Sequence, residues 1–191
     1  EIYRCDWSSD VCSSDLGYHN LPPHLNPLAP LALDDPPGWL TSFKLRRLTA
    51  DQCASLLAEA NRRRLIASRP VADSEGSCPL RNVVRVANFG SVQLSSSFLA
   101  SCPLALSSAL YIEQQAKPLT RQLMASDLRQ IDHLGSFACR NIYHRQQARR
   151  SEHATADALD VSGFRLADGR RVSVLQGWRS ETSRQIGRAH V

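Results

Sequence analysis

Apolar residues first repeat at helical spacing at Cys53, Leu56, Leu57 and Ala60, the mark of one buried helix face. Thr49 and Gln52 precede and open this stretch in the order of a capping box, in which each side chain bonds the other's backbone N–H, so a helix begins at Thr49. The run Arg62-Arg63-Arg64 closes it with cations that suit a helix C-terminus. From Asn82 the period shortens toward two, and residues 83–86 and 92–95 predict short strands about a turn at Asn88-Phe89-Gly90. Residues 103–115 predict a second helix, with Leu104, Leu106, Ala109, Leu110 and Ile112 on its apolar face and Pro103 in the first turn. Pro118 breaks or restarts that helix, leaving a turn or two over 119–124. A strand follows over 128–134, then a polar loop over 141–150. Residues 158–166 and 171–175 alternate across Ala167-Asp168-Gly169-Arg170, and Asp-Gly between alternating apolar residues signals a hairpin. Nothing repeats internally. This order of elements predicts an α+β domain, residues 49–185, built on a small antiparallel sheet with flanking helices.

The flanks read differently. Residues 17–48 hold Pro22, Pro23, Pro27, Pro30, Pro36 and Pro37, which remove backbone donors and bias their predecessors toward extended chain, so this is read as a proline-rich extended segment. Residues 1–16 and 186–191 resemble translated sequencing adapter and are set aside as adapter-derived, which makes the domain truncated at both ends. Without Arg4, Arg188, Glu1, Asp6, Asp10 and Asp15, 21 basic and 14 acidic residues remain, a net charge of +7 in place of +5. Arginines at 145, 149, 150, 165, 170, 171 and 179 form a cationic region, but no stacking aromatics interleave with them, which argues against nucleic acid as a partner. No apolar run approaches the ~18 residues of a membrane span, although the missing start leaves room for an anchor upstream.

The candidate chemistry lies in Ser151-Glu152-His153-Ala154-Thr155-Ala156-Asp157-Ala158-Leu159-Asp160. An imidazole and a carboxylate on one short excursion suit Zn²⁺. Glu152, beside His153, reads as a surface residue. Cys53, Cys78, Cys102 and Cys139 are widely spaced and lack C-x-x-C, so they fit a disulfide framework in an oxidising compartment better than a zinc–thiolate site. Buried free thiols are the other reading, and four cysteines allow three pairings between which spacing does not choose.

Cys78-Pro79-Leu80, Ser101-Cys102-Pro103-Leu104-Ala105, Gly135-Ser136-Phe137-Ala138-Cys139-Arg140 and the run from Ser151 to Arg170 resemble the bacterial extensin-like C-terminal domain family. That family is in turn remotely similar to the zinc peptidases that include D-Ala-D-Ala carboxypeptidases, lysostaphin-type endopeptidases and the hedgehog domain. Their S-x-H-x-x-G-x-A-x-D motif matches Ser151, His153, Ala158 and Asp160, with Ala156 where glycine is usual. The resemblance implies a D-Ala-D-Ala-peptidase-like fold, His153 and Asp160 as two of three zinc ligands, and Arg140 as the arginine that holds a substrate carboxylate or carbonyl. It places the third ligand and any general base beyond Trp178, in the part replaced by adapter, with His133 and His144 as the nearby substitutes. The implied protein is exported, periplasmic or otherwise in the cell envelope, with peptidoglycan or another envelope polymer as partner and a site that is incomplete as encoded. A non-catalytic envelope-binding module is the alternative. Substrate and oligomeric state are not legible.

Overall fold

The computed structural model describes residues 21–141 and 149–174, and the segments read as adapter-derived lie outside them, as does His144. The chain divides between Leu48 and Thr49 into two units. In the first, turns over the prolines lead to helix α1, Trp39–Arg46, where the sequence pattern had led to an expectation of extended chain. The prolines end at Pro37, so nothing after Gly38 removes an intrahelical donor. Lys44 and Asp35, both buried, form an ion pair at 3.0 Å, and the Lys44 ammonium also donates to the Pro23 carbonyl at 2.8 Å.

The second unit opens with helix α2, Ala50–Arg62, whose Thr49–Gln52 capping box is closed in both directions. Six strands follow: β1 Ala67–Pro70, β2 Val83–Phe89, β3 Val92–Ser101, β4 Leu128–His133, β5 Val161–Leu166 and β6 Arg171–Ser173. They form one sheet in sequence order, and the class is α+β. All pairings are antiparallel except β3 with β4, which is parallel and makes the sheet mixed where an antiparallel one was expected. The reason is the long crossover between these strands: helix α3, Cys102–Tyr111, a π-helical turn, Ile112–Ala116, and helix α4, Lys117–Met124. Such a crossover returns the chain to the start of the sheet, which a hairpin cannot do. Pro118 does not interrupt it. The widened turn just before Pro118 absorbs the clash its ring would make with the preceding carbonyls, and the helix resumes.

The β2–β3 turn has two residues, since Phe89 faces Val92. Gly90 sits there at φ 61, and a Cβ on it would lie 2.7 Å from the Arg64 carbonyl oxygen, so only glycine fits. Val84, Val86, Phe98 and Ala100 are buried on the face where α3 packs, and the alternating positions Val83, Arg85 and Leu99 point to the other face. Leu80, Val83 and Ala156 make a second small buried cluster, with Val71 and Leu99 packed on it. Cys53 in α2 is bonded to Cys102 at the start of α3, and Cys78 to Cys139, with Cα atoms 6.1 and 5.7 Å apart. The disulfide framework thus takes one of its three possible pairings. Among the described residues no helix is long and apolar enough to cross a membrane.

Candidate metal centre

Ser151 caps a single 3-10 turn, Glu152–Thr155, its hydroxyl accepting from the His153 N–H at 3.3 Å. Ala156 ends the turn in the left-handed region at φ 57, ψ 34 and is fully buried over Leu80 and Val83. Its carbonyl accepts from the Ser101 N–H at 2.9 Å, which pins the turn to the end of β3. A left-handed backbone is where glycine is least strained, so an alanine here carries a modest conformational cost. Ala158 is half-buried on the way to Asp160.

Residues 134–138 bring the two candidate ligands together. The Leu134 N–H donates to the Asp160 carbonyl at 2.8 Å and the Asp160 N–H to the Gly135 carbonyl at 3.1 Å, continuing the β4–β5 ladder. Beyond Gly135, at φ 122, the chain crosses to His153. There the Ser136 carbonyl meets His153 Nδ1 at 2.8 Å, and the Ala138 N–H donates to the His153 carbonyl at 3.0 Å. Ser136 is itself buried, its hydroxyl donating to the Leu99 carbonyl at 2.5 Å. A carbonyl only accepts, so Nδ1 carries a proton, and in the neutral imidazole Nε2 then presents its lone pair. Nε2 lies 3.4 Å from Asp160 Oδ1, with the histidine side chain 14% and the aspartate 56% exposed.

This separation exceeds the usual N–H···O range. It matches the spacing of about 3.3 Å between two ligand atoms that share one tetrahedral ion at about 2.0–2.1 Å. A backbone carbonyl on the far nitrogen is also the orienting contact that metal-binding histidines use. The pair therefore fits zinc in donor type, spacing and tautomer. Arg140 follows Cys139 on the same segment; its carbonyl accepts from the Ser151 N–H at 3.1 Å, its side chain is exposed, and no ion pair engages it among the described residues. Glu152 is held at the surface by Arg149 at 2.7 Å. His133 is committed elsewhere, with Nε2 2.7 Å from the Ser96 carbonyl and its ring edge-on to Phe98. Among the described residues no three of His, Cys, Asp and Glu gather in one group.

Ser136 was not legible as a site residue. It acts through its carbonyl, which every residue type carries, so side-chain identity held no signal. Leu134 and Phe137, 81% and 40% exposed, are large apolar side chains flanking this strap.

A family model described as Extensin-like protein C-terminus matches residues 51–190, which takes in all of the second unit as described except Thr49 and Ala50. No curated protein and no solved structure matches the chain.

Proposed function

The chain belongs to the extensin-like protein C-terminus family, and on that premise we propose that it is an exported cell-envelope protein whose second unit is a zinc-peptidase-like domain directed at peptidoglycan peptides. The observation that carries this reading is the His153–Asp160 pair, 3.4 Å between Nε2 and Oδ1, with Nδ1 tied to the Ser136 carbonyl. His153 and Asp160 are two zinc ligands in this reading. Arg140 is the cation that holds a peptide carboxylate or carbonyl, a role suited to a guanidinium fork. Bound zinc would supply an acidified water and a polarised carbonyl. Two disulfides within one unit support an oxidising compartment.

The test is zinc titration calorimetry on the full chain, paired with mass spectrometry of cross-linked wall peptides incubated with the zinc-treated protein. With two ligands only among the described residues, weak zinc binding, weakened further by about tenfold or more in His153→Ala and Asp160→Ala, and no cleavage by this chain are the expected result. Zinc affinity indifferent to both substitutions refutes the site. Wall-peptide binding that is indifferent to zinc and to His153→Ala identifies the non-catalytic envelope module instead.

A further inference from the structure

Register sets a row of polar side chains across the sheet: Asn88 on β2 faces Gln93 on β3, Gln93 faces Gln130 on β4, Gln130 faces Arg165 on β5, and Arg165 faces Arg171 on β6. The row lies on the face opposite the buried Ile131, Phe164 and Val172, which are also directly paired. One step along this face is Asp132, 5% exposed. Its carboxylate accepts from Gln130 Nε2 at 2.8 Å and from Arg165 Nε at 3.1 and 3.0 Å, and Arg171 Nε stands 3.1 Å from Oδ2. Burial pushes this carboxyl up, but the hydrogen bonds from Gln130 and Arg165 and the two guanidinium charges outweigh it and hold Asp132 below the usual carboxylate range.

Arg171 reaches Asp132 from two strands away by crossing β5 above Gly163, the residue paired with Asp132. A Cβ on Gly163 would stand 3.5 Å from Arg171 Nε and 2.8 Å from the Val172 carbonyl oxygen, so glycine keeps that path open. Both arginines meet the carboxylate through Nε. Each side chain is 54% exposed, and the outer nitrogens of both have no partner among the described residues. A pair built only to neutralise Asp132 would need one guanidinium, engaged through its outer fork. Here two are held on one carboxylate, both through Nε, leaving one positive charge in surplus.

We propose that Arg165 and Arg171, positioned by Asp132, form an oxyanion-binding site that takes a carboxylate or phosphate group of an anionic ligand. The site does not rest on the metal reading. Arg165 lies five residues along the chain from Asp160, about 16 Å by strand rise.

Side-chain NMR of the full chain, following the arginine Nε–Hε signals, tests this with three probes: inorganic phosphate, a short peptide with a free C-terminal carboxylate, and the same peptide amidated. Saturable shifts at Arg165 and Arg171 with phosphate or the peptide acid, and none with the amide, are expected. Tighter phosphate binding assigns a phosphate-bearing polymer, and tighter peptide-acid binding assigns a peptide terminus; either supports the site. Arg165→Lys keeps the charge and loses the fork, and should weaken binding about fivefold or more. Asp132→Asn separates orientation from diffuse charge: it raises the net positive charge, so mere attraction would tighten binding, whereas loss of the positioning residue weakens it. Backbone spectra of each variant report whether the fold is kept. No saturable shift with any probe, wild-type affinity in Arg165→Lys, or tighter binding in a folded Asp132→Asn variant overturns the proposal.

Discussion

Removing the two disulfides one at a time should cost unequal amounts of stability, and in the reverse order of their loop lengths. Loop-closure entropy gives about 4.1 kcal/mol for the Cys53–Cys102 bridge, separation 49, and about 4.3 kcal/mol for Cys78–Cys139, separation 61. Burial reverses that small difference. Cys53 and Cys102 are 2% and 8% exposed between α2 and α3, so alanine at both also removes two packed sulfur atoms at roughly 1 kcal/mol each. Cys139 is exposed and Cys78 half-buried, so little packing is lost there. The double variant Cys53→Ala/Cys102→Ala should therefore lose about 6 kcal/mol and Cys78→Ala/Cys139→Ala about 4 kcal/mol. Urea unfolding followed by far-ultraviolet circular dichroism measures both, and the slope with denaturant should rise in each as the unfolded chain is freed. Equal losses, or a larger loss at the exposed bridge, would refute the claim that packing around Cys53 and Cys102 adds to the cross-link.

Other outcomes follow from single contacts. Ala156→Gly relieves a left-handed alanine by about 1 kcal/mol and forfeits a buried methyl plus backbone entropy of similar size, so its melting temperature should stay close to wild type. Ala156→Val, strained at that φ and with no free space, should fall by more than about 2 kcal/mol in the same melts. Asp168 is held down at about 2 by the Arg170 side chain and then by the Arg170 backbone N–H. Its folded value is depressed, so its contribution is complete above the unfolded value of about 3.9 and lost as pH falls toward 2. Carboxyl NMR titration should show that low midpoint, and Asp168→Asn should flatten this part of the acid-unfolding profile. Lys44→Met leaves Asp35 buried and unpaired, so amide exchange in residues 21–48 should accelerate to the extent of about 3–5 kcal/mol of lost protection.

What was legible in the sequence was what local chemistry decides. The Thr49–Gln52 box spans four residues and closes as read, and Asp168-Gly169 turns the β5–β6 hairpin with Gly169 at φ 89. The β3–β4 pairing joins strands separated by a whole helical crossover, and no local pattern carries its direction. Strand β1 was missed for a related reason. Ala67-Ser68-Arg69-Pro70 pairs on one side only and ends in proline, so it shows neither alternation nor an apolar run. Around the candidate metal centre, His153 and Asp160 were singled out because their side-chain types suit zinc and because the run from Ser151 to Asp160 resembles a zinc-peptidase motif. The Ser136 carbonyl was not, nor was the reach of Arg171 across Gly163, since both depend on tertiary register.

The two bridges are interleaved: in chain order Cys53, Cys78, Cys102 and Cys139, each residue bonds the next but one. A chain emerging from its N-terminus exposes Cys53 and Cys78 before either native partner. Among these four, the first bridge within reach is therefore a wrong one. Were the chain oxidised as it emerges, a Cys53–Cys78 bond would have to be resolved by thiolate attack from a later cysteine before α2 could be bonded to α3. Production of this protein should thus be limited by disulfide reshuffling, a step of seconds to hours, and should respond to an isomerase more than to a stronger oxidant.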